Sequence, residues 1–345
     1  MNDLREYMIG FMKEILNIPS PAGDTEICMK RIEEEFTSLG YEVATSKKKS
    51  LYVTVKGHDD ENQKMIVGHI DTLGAIVKEV KPNGRLLLAQ LGGFSWNSLE
   101  GENVKIHTNK GKIITGSILP VMASIHIDPE TTRKLERSDE NVEVRLDEFT
   151  STKAETNALG VGVGDFISFE PRYVHCENGF IKSRHLDDKS AVAIIFGMCK
   201  YIKENNITPK YTIHFNISNY EEVGHGVAYV PEKTDELIAI DIGPVGPKQE
   251  STETAVCIAA KDSRTPYDFK LRKKLSDICE KHDIEYKVDV YNRYGSDASV
   301  GVVQGSNVNF ACVGPGVDGT HHYERTHIRA IENTYDLLMK YAVID

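Results

Sequence analysis

Leu4, Met8, Phe11, Met12 and Ile15 recur at helical spacing, so the chain is predicted to open on an amphipathic helix with one apolar face. Ser20-Pro21 breaks the period. Ile27, Ile32, Phe36 and Leu39 line a second helix, which Gly40 ends. Apolar runs at Tyr41–Ala44, Leu51–Val55 and Met65–Gly68 then read as short strands. From about Leu73 to Val174 the pattern changes. Short strands alternate with turns such as Lys81-Pro82-Asn83-Gly84 and Asn109-Lys110-Gly111, and only Pro129–Glu136 carries a helical period. After Asp187 helices and strands alternate again. Ala191–Tyr201 is helical, Tyr211-Ile213-Phe215-Ile217 marks an alternating strand, and Leu237–Ile240 is a buried strand. A helix over Pro266–Lys281, a strand at Val308–Val313 and a helix from Ile328 complete the pattern.

This order predicts an α/β fold with a doubly wound, mostly parallel sheet, because βα alternation implies parallel strands. Residues 1–72 and 175–345 would form that domain. Residues 73–174 would form an inserted β-rich module, a small barrel or sandwich.

The bulk properties narrow the function. A chain of 345 residues with 40% hydrophobic and 27% charged residues suits one large globular domain or two. A formal net charge of -11 argues against a general nucleic-acid binder, which needs basic patches for phosphates. Lys47-Lys48-Lys49 reads as a solvated loop. Cys28, Cys176, Cys199, Cys257, Cys279 and Cys312 form no C-x-x-C pair, and most lie in apolar runs where a free thiol packs as a small hydrophobe. The first residues lack the charged and apolar regions of a secretory signal, and no stretch reaches the length of a membrane span. A cytoplasmic location is therefore expected.

Five groups of metal-type side chains stand at strand ends: Gly68-His69-Ile70-Asp71, Asp187-Asp188, Glu221-Glu222, Asp241 and His321-His322. In an open α/β sheet such residues converge outside the carboxyl ends of the strands. Two histidines, a shared carboxylate and two further carboxylates are what two divalent ions require, and a spare carboxylate can act as base. Each group alone has a plain structural reading. His69 and Asp71 fit a polar strand end, although Asp71 is also placed to orient a metal-binding imidazole. The Asp187-Asp188 pair fits two helix-capping acids. Glu221-Glu222 fits a solvated turn, with Gly224 and Gly226 allowing a tight loop. Asp241 ends an apolar strand, where an unpaired charge is costly. The ordered set of five is harder to explain by caps and turns. Gly160-Val161-Gly162-Val163-Gly164 imitates a dinucleotide loop, but Asp165–Phe169 continues it as a strand where the pyrophosphate fingerprint needs a helix.

The ordered motifs H-x-D, Asp-Asp, Glu-Glu-Val-Gly, Asp and a late His resemble those of the co-catalytic metallopeptidases. The β-rich insertion between Asp71 and Asp187 narrows the resemblance to metallopeptidase family 42, the glutamyl and tetrahedral aminopeptidases and cellulase M-like proteins. Gly295-Ser296-Asp297-Ala298 is similar to that family's Gly-Thr-Asp-Ala segment. The resemblance implies a zinc-peptidase-like fold in which His69, Asp187 and Asp241 hold one divalent ion. Asp187, Glu222 and His321 would hold the second, with His322 as the alternative histidine, Glu221 as general base and Asp71 behind His69. Zinc is the first expectation from such ligands, with cobalt and manganese as alternatives. The resemblance also implies an insertion that serves dimerisation and assembly, hence a homo-oligomer between dimer and dodecamer acting on short peptides. His322, His185 and the Tyr323–His327 segment depart from the family pattern. His185 is a candidate to line the site, and Arg293, Tyr294 and His225 are candidates for the specificity pocket. A deacylase or carboxypeptidase of the same clan is the alternative enzyme, and a catalytically silent scaffold the alternative outside enzymes.

Overall fold

Residues 63–69 are buried without interruption, which demands cover on both faces of their strand. The computed structural model, which describes residues 2–227 and 229–344, supplies that cover. The strand Asp59–His69 runs parallel to Tyr211–Ser218 on one side and to Thr234–Ile240 on the other. Thr234–Ile240 in turn runs parallel to Asn309–Asp318. Antiparallel strands flank this parallel centre, Leu51–Val55 beside Tyr211–Ser218 and Val256–Lys261 beside Asn309–Asp318.

Side chains of one strand alternate between two cores. Ile66 and Phe215 pack with Met12, Phe196 and Leu337 from the helices Asn2–Leu16, Leu186–Glu204 and Ile328–Met339. Met65 and Val67 point the other way, toward Val227, Tyr267 and Ala298. Each fully buried aliphatic side chain contributes about 1.5–3 kcal/mol. Two such layers hold the sheet rigid beneath its strand ends.

The β-rich segment closes into a six-stranded antiparallel barrel running from Gly74–Val80 to Phe166–Phe169. Closure leaves no open edge. Its interior is a separate core that includes Val77, Leu88, Ile106, Ile118 and Val144. Val174–His175 belongs instead to the large sheet, beside Phe180–Ser183.

Other boundaries differ from the sequence pattern. The strand expected at Tyr41–Ala44 covers only Ala44–Thr45, and the helix expected from Pro266 starts at Phe269. Elements that the sequence pattern does not predict include a helix at Lys153–Ala158, capped reciprocally by Thr152 and Glu155, another at Asp297–Val303, and the strands Phe180–Ser183, Tyr286–Val290 and Glu324–His327. The cysteines are free, and all but Cys176 are buried. Among the described residues no helix is long and apolar enough to cross a membrane.

Candidate metal centre

Parallel registry brings the strand ends together. Ser218 lies opposite His69, Ile240 lies opposite Val313, and the Asp241 amide donates to the Val313 carbonyl at 2.9 Å. Gly314 permits this approach, since a Cβ there would fall 1.3 Å from the Asp241 carbonyl oxygen. His69, the Glu221–Val223 turn and Asp241 therefore emerge at one edge.

Asp187 reaches the same place from the neighbouring segment. It and Asp188 keep non-helical backbone angles before the regular helix begins. His69 Nε2 lies 3.1 Å from Asp187 Oδ1 and 3.8 Å from Glu221 Oε2. His321 Nε2 lies 3.5 Å from Asp187 Oδ2 and 3.6 Å from Glu222 Oε2. Two trios of donor atoms result, His69–Asp187–Asp241 and Asp187–Glu222–His321. Within each trio the atoms lie within 4.8 Å of one another.

The electrostatics of this cluster are unbalanced. Burial pushes the carboxyls of Glu221 and Asp241 well above the usual carboxylate range, and that of Glu222 up to about 7. Neighbouring acids add to the effect. Asp187 alone is held low, because hydrogen bonds to His321 and His69 outweigh its burial. Burial would lower both imidazoles, but the carboxylates around them hold His69 and His321 well above the ordinary value. Two imidazoles cannot neutralise four buried carboxyls, and Glu222 Oε1 has no hydrogen-bond partner. Divalent cations would supply the missing charge, so the donor set fits them.

Backbone contacts fix the cluster. Asp188 Oδ2 accepts from the His69 amide at 3.1 Å. His69 Nδ1 pairs with the carbonyl of Asp71 at 2.9 Å, while the Asp71 carboxylate stands 3.7 Å away. That carboxylate instead accepts from the Glu221 and Glu222 amides, at 3.1 and 3.2 Å. Asp71 thus orients the imidazole through its main chain and the glutamate turn through its side chain. His321 Nδ1 donates to the carbonyl of Gly93, which follows the barrel strand Leu86–Leu91. A carbonyl behind a ligating imidazole fixes its tautomer and ring plane.

The other sequence candidates separate. His322 turns away, its Nδ1 accepting from the Tyr323 amide at 2.7 Å. His185 is buried beside a different cavity, of about 280 Å³, between the barrel and the segments around Leu16–Ser20 and Lys189. Arg293 and Tyr294 line the cavity of about 530 Å³ that Asp187, Glu221, Glu222, Asp241 and His321 also line, together with Arg264, which no sequence motif marks. His225 stacks on Tyr220 with 5.1 Å between ring centroids. Lys47 and Lys49 are exposed, as a solvated loop requires, while Lys48 is half-buried and its ammonium donates to the carbonyls of His225 and Gly226, just past the glutamate turn. Glu324 was also missed. It is 2% exposed and accepts from the amides of Asp187 and His321. The strand Glu324–His327 is polar throughout, so no apolar pattern marks it in the sequence.

Known proteins resemble this chain in sequence and fold. The chain is 43% identical over 342 residues to the putative aminopeptidase YhfE of Bacillus subtilis (strain 168), covering 99% of this chain and 98% of that protein. In fold it is similar to a TET aminopeptidase from Thaumarchaeota archaeon SCGC AB-539-E09, with a TM-score of 0.87, 20% identity and coverage of 97% and 96%. It is also similar to the Pyrococcus horikoshii TET1 peptidase, which can assemble into a tetrahedron or a large octahedral shell. There the TM-score is 0.83 at 22% identity, with 97% and 99% coverage. The profile of the M42 glutamyl aminopeptidase family matches residues 49–337. The chain belongs to the M42 glutamyl aminopeptidase family and is a peptidase, a hydrolase of the aminopeptidase type.

Proposed function

We propose that this protein is a dinuclear metal-dependent aminopeptidase that removes N-terminal residues from short peptides. One observation carries the reading: Asp187 belongs to both donor trios, and Glu221 faces the same space. In this reading His69, Asp187 and Asp241 hold one divalent ion, and Asp187, Glu222 and His321 hold the other. Imidazole and carboxylate ligands favour zinc, and also accept cobalt or manganese. Bound there, the ions would supply Lewis acidity to the scissile carbonyl and to the attacking water.

Proton movement belongs to the chain itself. Glu221 takes a proton from water and passes it to the leaving amine, a role that typically contributes about 10²–10⁴-fold. Asp71 keeps the turn carrying Glu221 in place. An excess of carboxylates favours a substrate that enters with a free, positive amino terminus. Arg264 and Arg293, at the mouth, suit a peptide carboxylate farther along. A cavity of about 530 Å³ accommodates a few residues at a time. Ile127, Phe149 and Val163 on the barrel segment are exposed, and the similar TET1 peptidase can assemble into a tetrahedron or a large octahedral shell; both support a homo-oligomer of at least two chains as the active form. The net charge of -11 supports peptide over nucleic-acid partners, and the cytoplasm is the proposed location.

Metal analysis of the purified chain beside Glu221→Gln tests the centre. About two divalent ions per chain are expected in both proteins, with kcat in the variant reduced at least 10²-fold. Wild-type turnover in Glu221→Gln would remove it from the role of base. The second arm offers a short peptide and its N-acetylated twin. Only the free peptide should be cleaved; equal cleavage of both, or release from the C-terminus, would refute the aminopeptidase reading.

A further inference from the structure

Asp187 and His321 lie far apart in sequence, yet a single side chain reaches both. The strands Phe180–Ser183 and Glu324–His327 pair antiparallel, with Ser183 directly opposite Glu324. One leaves the ladder toward Asp187, and the other enters it just after His321. Glu324 stands where the two segments part. Its Oε2 accepts from the Asp187 amide at 3.2 Å and its Oε1 from the His321 amide at 3.3 Å. Among the described residues these amides are its hydrogen-bond donors, and it forms no ion pair.

The backbone at His321 shows why such a clamp is needed. Its φ is +61°, in the left-handed region that non-glycine residues adopt at a cost of about 1–3 kcal/mol. Such a conformation persists only where its surroundings over-determine it. The His322 amide, bonded to the Gly319 carbonyl at 2.9 Å, closes the turn on one side. Glu324 closes it on the other. The trio His69–Asp187–Asp241 shares only Asp187 with this clamp, whereas Asp187–Glu222–His321 has two of its three members on it.

We propose that Glu324 is a positioning residue that sets the second half of the metal centre, fixing Asp187 and His321 relative to each other; this rests on the dinuclear reading above. A carboxylate suits the task because both oxygens accept, one per amide. A glutamine keeps the shape but turns an NH₂ toward one N–H, so it can satisfy only one of the two.

The test titrates metal-free wild type, Glu324→Gln and Glu324→Ala with Co²⁺, following the visible absorption of the bound ion and its stoichiometry by calorimetry. Wild type is expected to bind two ions. In Glu324→Gln one of the two dissociation constants should rise about 10- to 100-fold, the usual effect of losing an outer-sphere partner, while the other changes little. Glu324→Ala should lie beyond Glu324→Gln in the same direction. If Glu324→Ala fails to fold, the isosteric variant still decides. Unchanged constants in Glu324→Gln, or an equal weakening of both, would overturn the proposal. Wild type that binds fewer than two ions would instead refute the dinuclear reading itself.

Discussion

The side chain of Asp188 holds the main chain of His69: Oδ2 accepts from the His69 amide at 3.1 Å in a wholly buried setting. Asp188→Ala leaves that N–H without a partner, at a cost of about 1–3 kcal/mol. A thermal melt should show a lower Tm, and activity should fall with it. Asp188→Asn keeps one acceptor oxygen and should lose less. A Tm equal to wild type in Asp188→Ala would show that the contact contributes nothing.

Asp71→Asn probes the glutamate turn. The substitution replaces one of two accepting oxygens by a donor that faces the Glu221 or Glu222 amide. Steady-state kinetics should show kcat reduced about 10- to 100-fold. Metal content should remain near wild type, since the Asp71 carbonyl, which meets His69 Nδ1, is unaltered.

Arg264 and Arg293 predict sensitivity to substrate charge. Both residues line the cavity and are exposed, and neither is engaged in an ion pair among the described residues. The double variant Arg264→Ala/Arg293→Ala should raise KM about tenfold for short peptides with a free terminal carboxylate. It should have little effect on their amidated counterparts. Added salt should blunt the wild-type preference. Identical KM ratios in the two proteins would exclude a role for the pair.

Lys64 gives a prediction in pH. Burial, with Lys274 nearby, lowers its pKa to about 8. Its ammonium donates to the Tyr341 carbonyl at 3.0 Å. Below pH 8 the amine is charged in both folded and unfolded chains, so the folded state carries the full penalty of burying it. Between about 8 and the ordinary value of about 10.4 the unfolded chain binds more protons, and the penalty fades as pH rises. The stability of Lys64→Met relative to wild type should therefore be most favourable at pH 7 and should decline toward pH 10. Denaturant melts at the two pH values measure it; a difference that grows with pH would contradict the assignment.

The sequence pattern and the structure agree where residue type carries the signal. His69, Asp187, Glu221, Glu222, Asp241 and His321 could be picked out because acids and imidazoles at the ends of apolar strands are costly without partners. The structure gathers all six around one cavity or against one another. The contacts that orient them were not legible. Glu324 and Asp188 act on backbone amides and Gly93 offers only a carbonyl, and none of these interactions leaves a mark in residue type. The helix Asp297–Val303 escaped for a different reason: in two turns containing Gly301, Val300 and Val302, local preference does not favour a helix. The edge strand Tyr286–Val290 is mostly half-buried, so its apolar and polar positions contrast weakly.

The bond between His321 and Gly93 bears on how this protein can be re-engineered. The barrel is topologically a removable part, a closed sheet with its own core, spliced between two stretches of the chain. A hybrid that borrowed a barrel from a distant relative would keep each part's own core residues. It would also inherit a foreign loop at Gly92-Gly93, and with it a new tilt for one imidazole. Modularity of architecture therefore stops short of modularity of chemistry: a barrel exchange conserves the centre only if the donor brings a carbonyl to the same point in space.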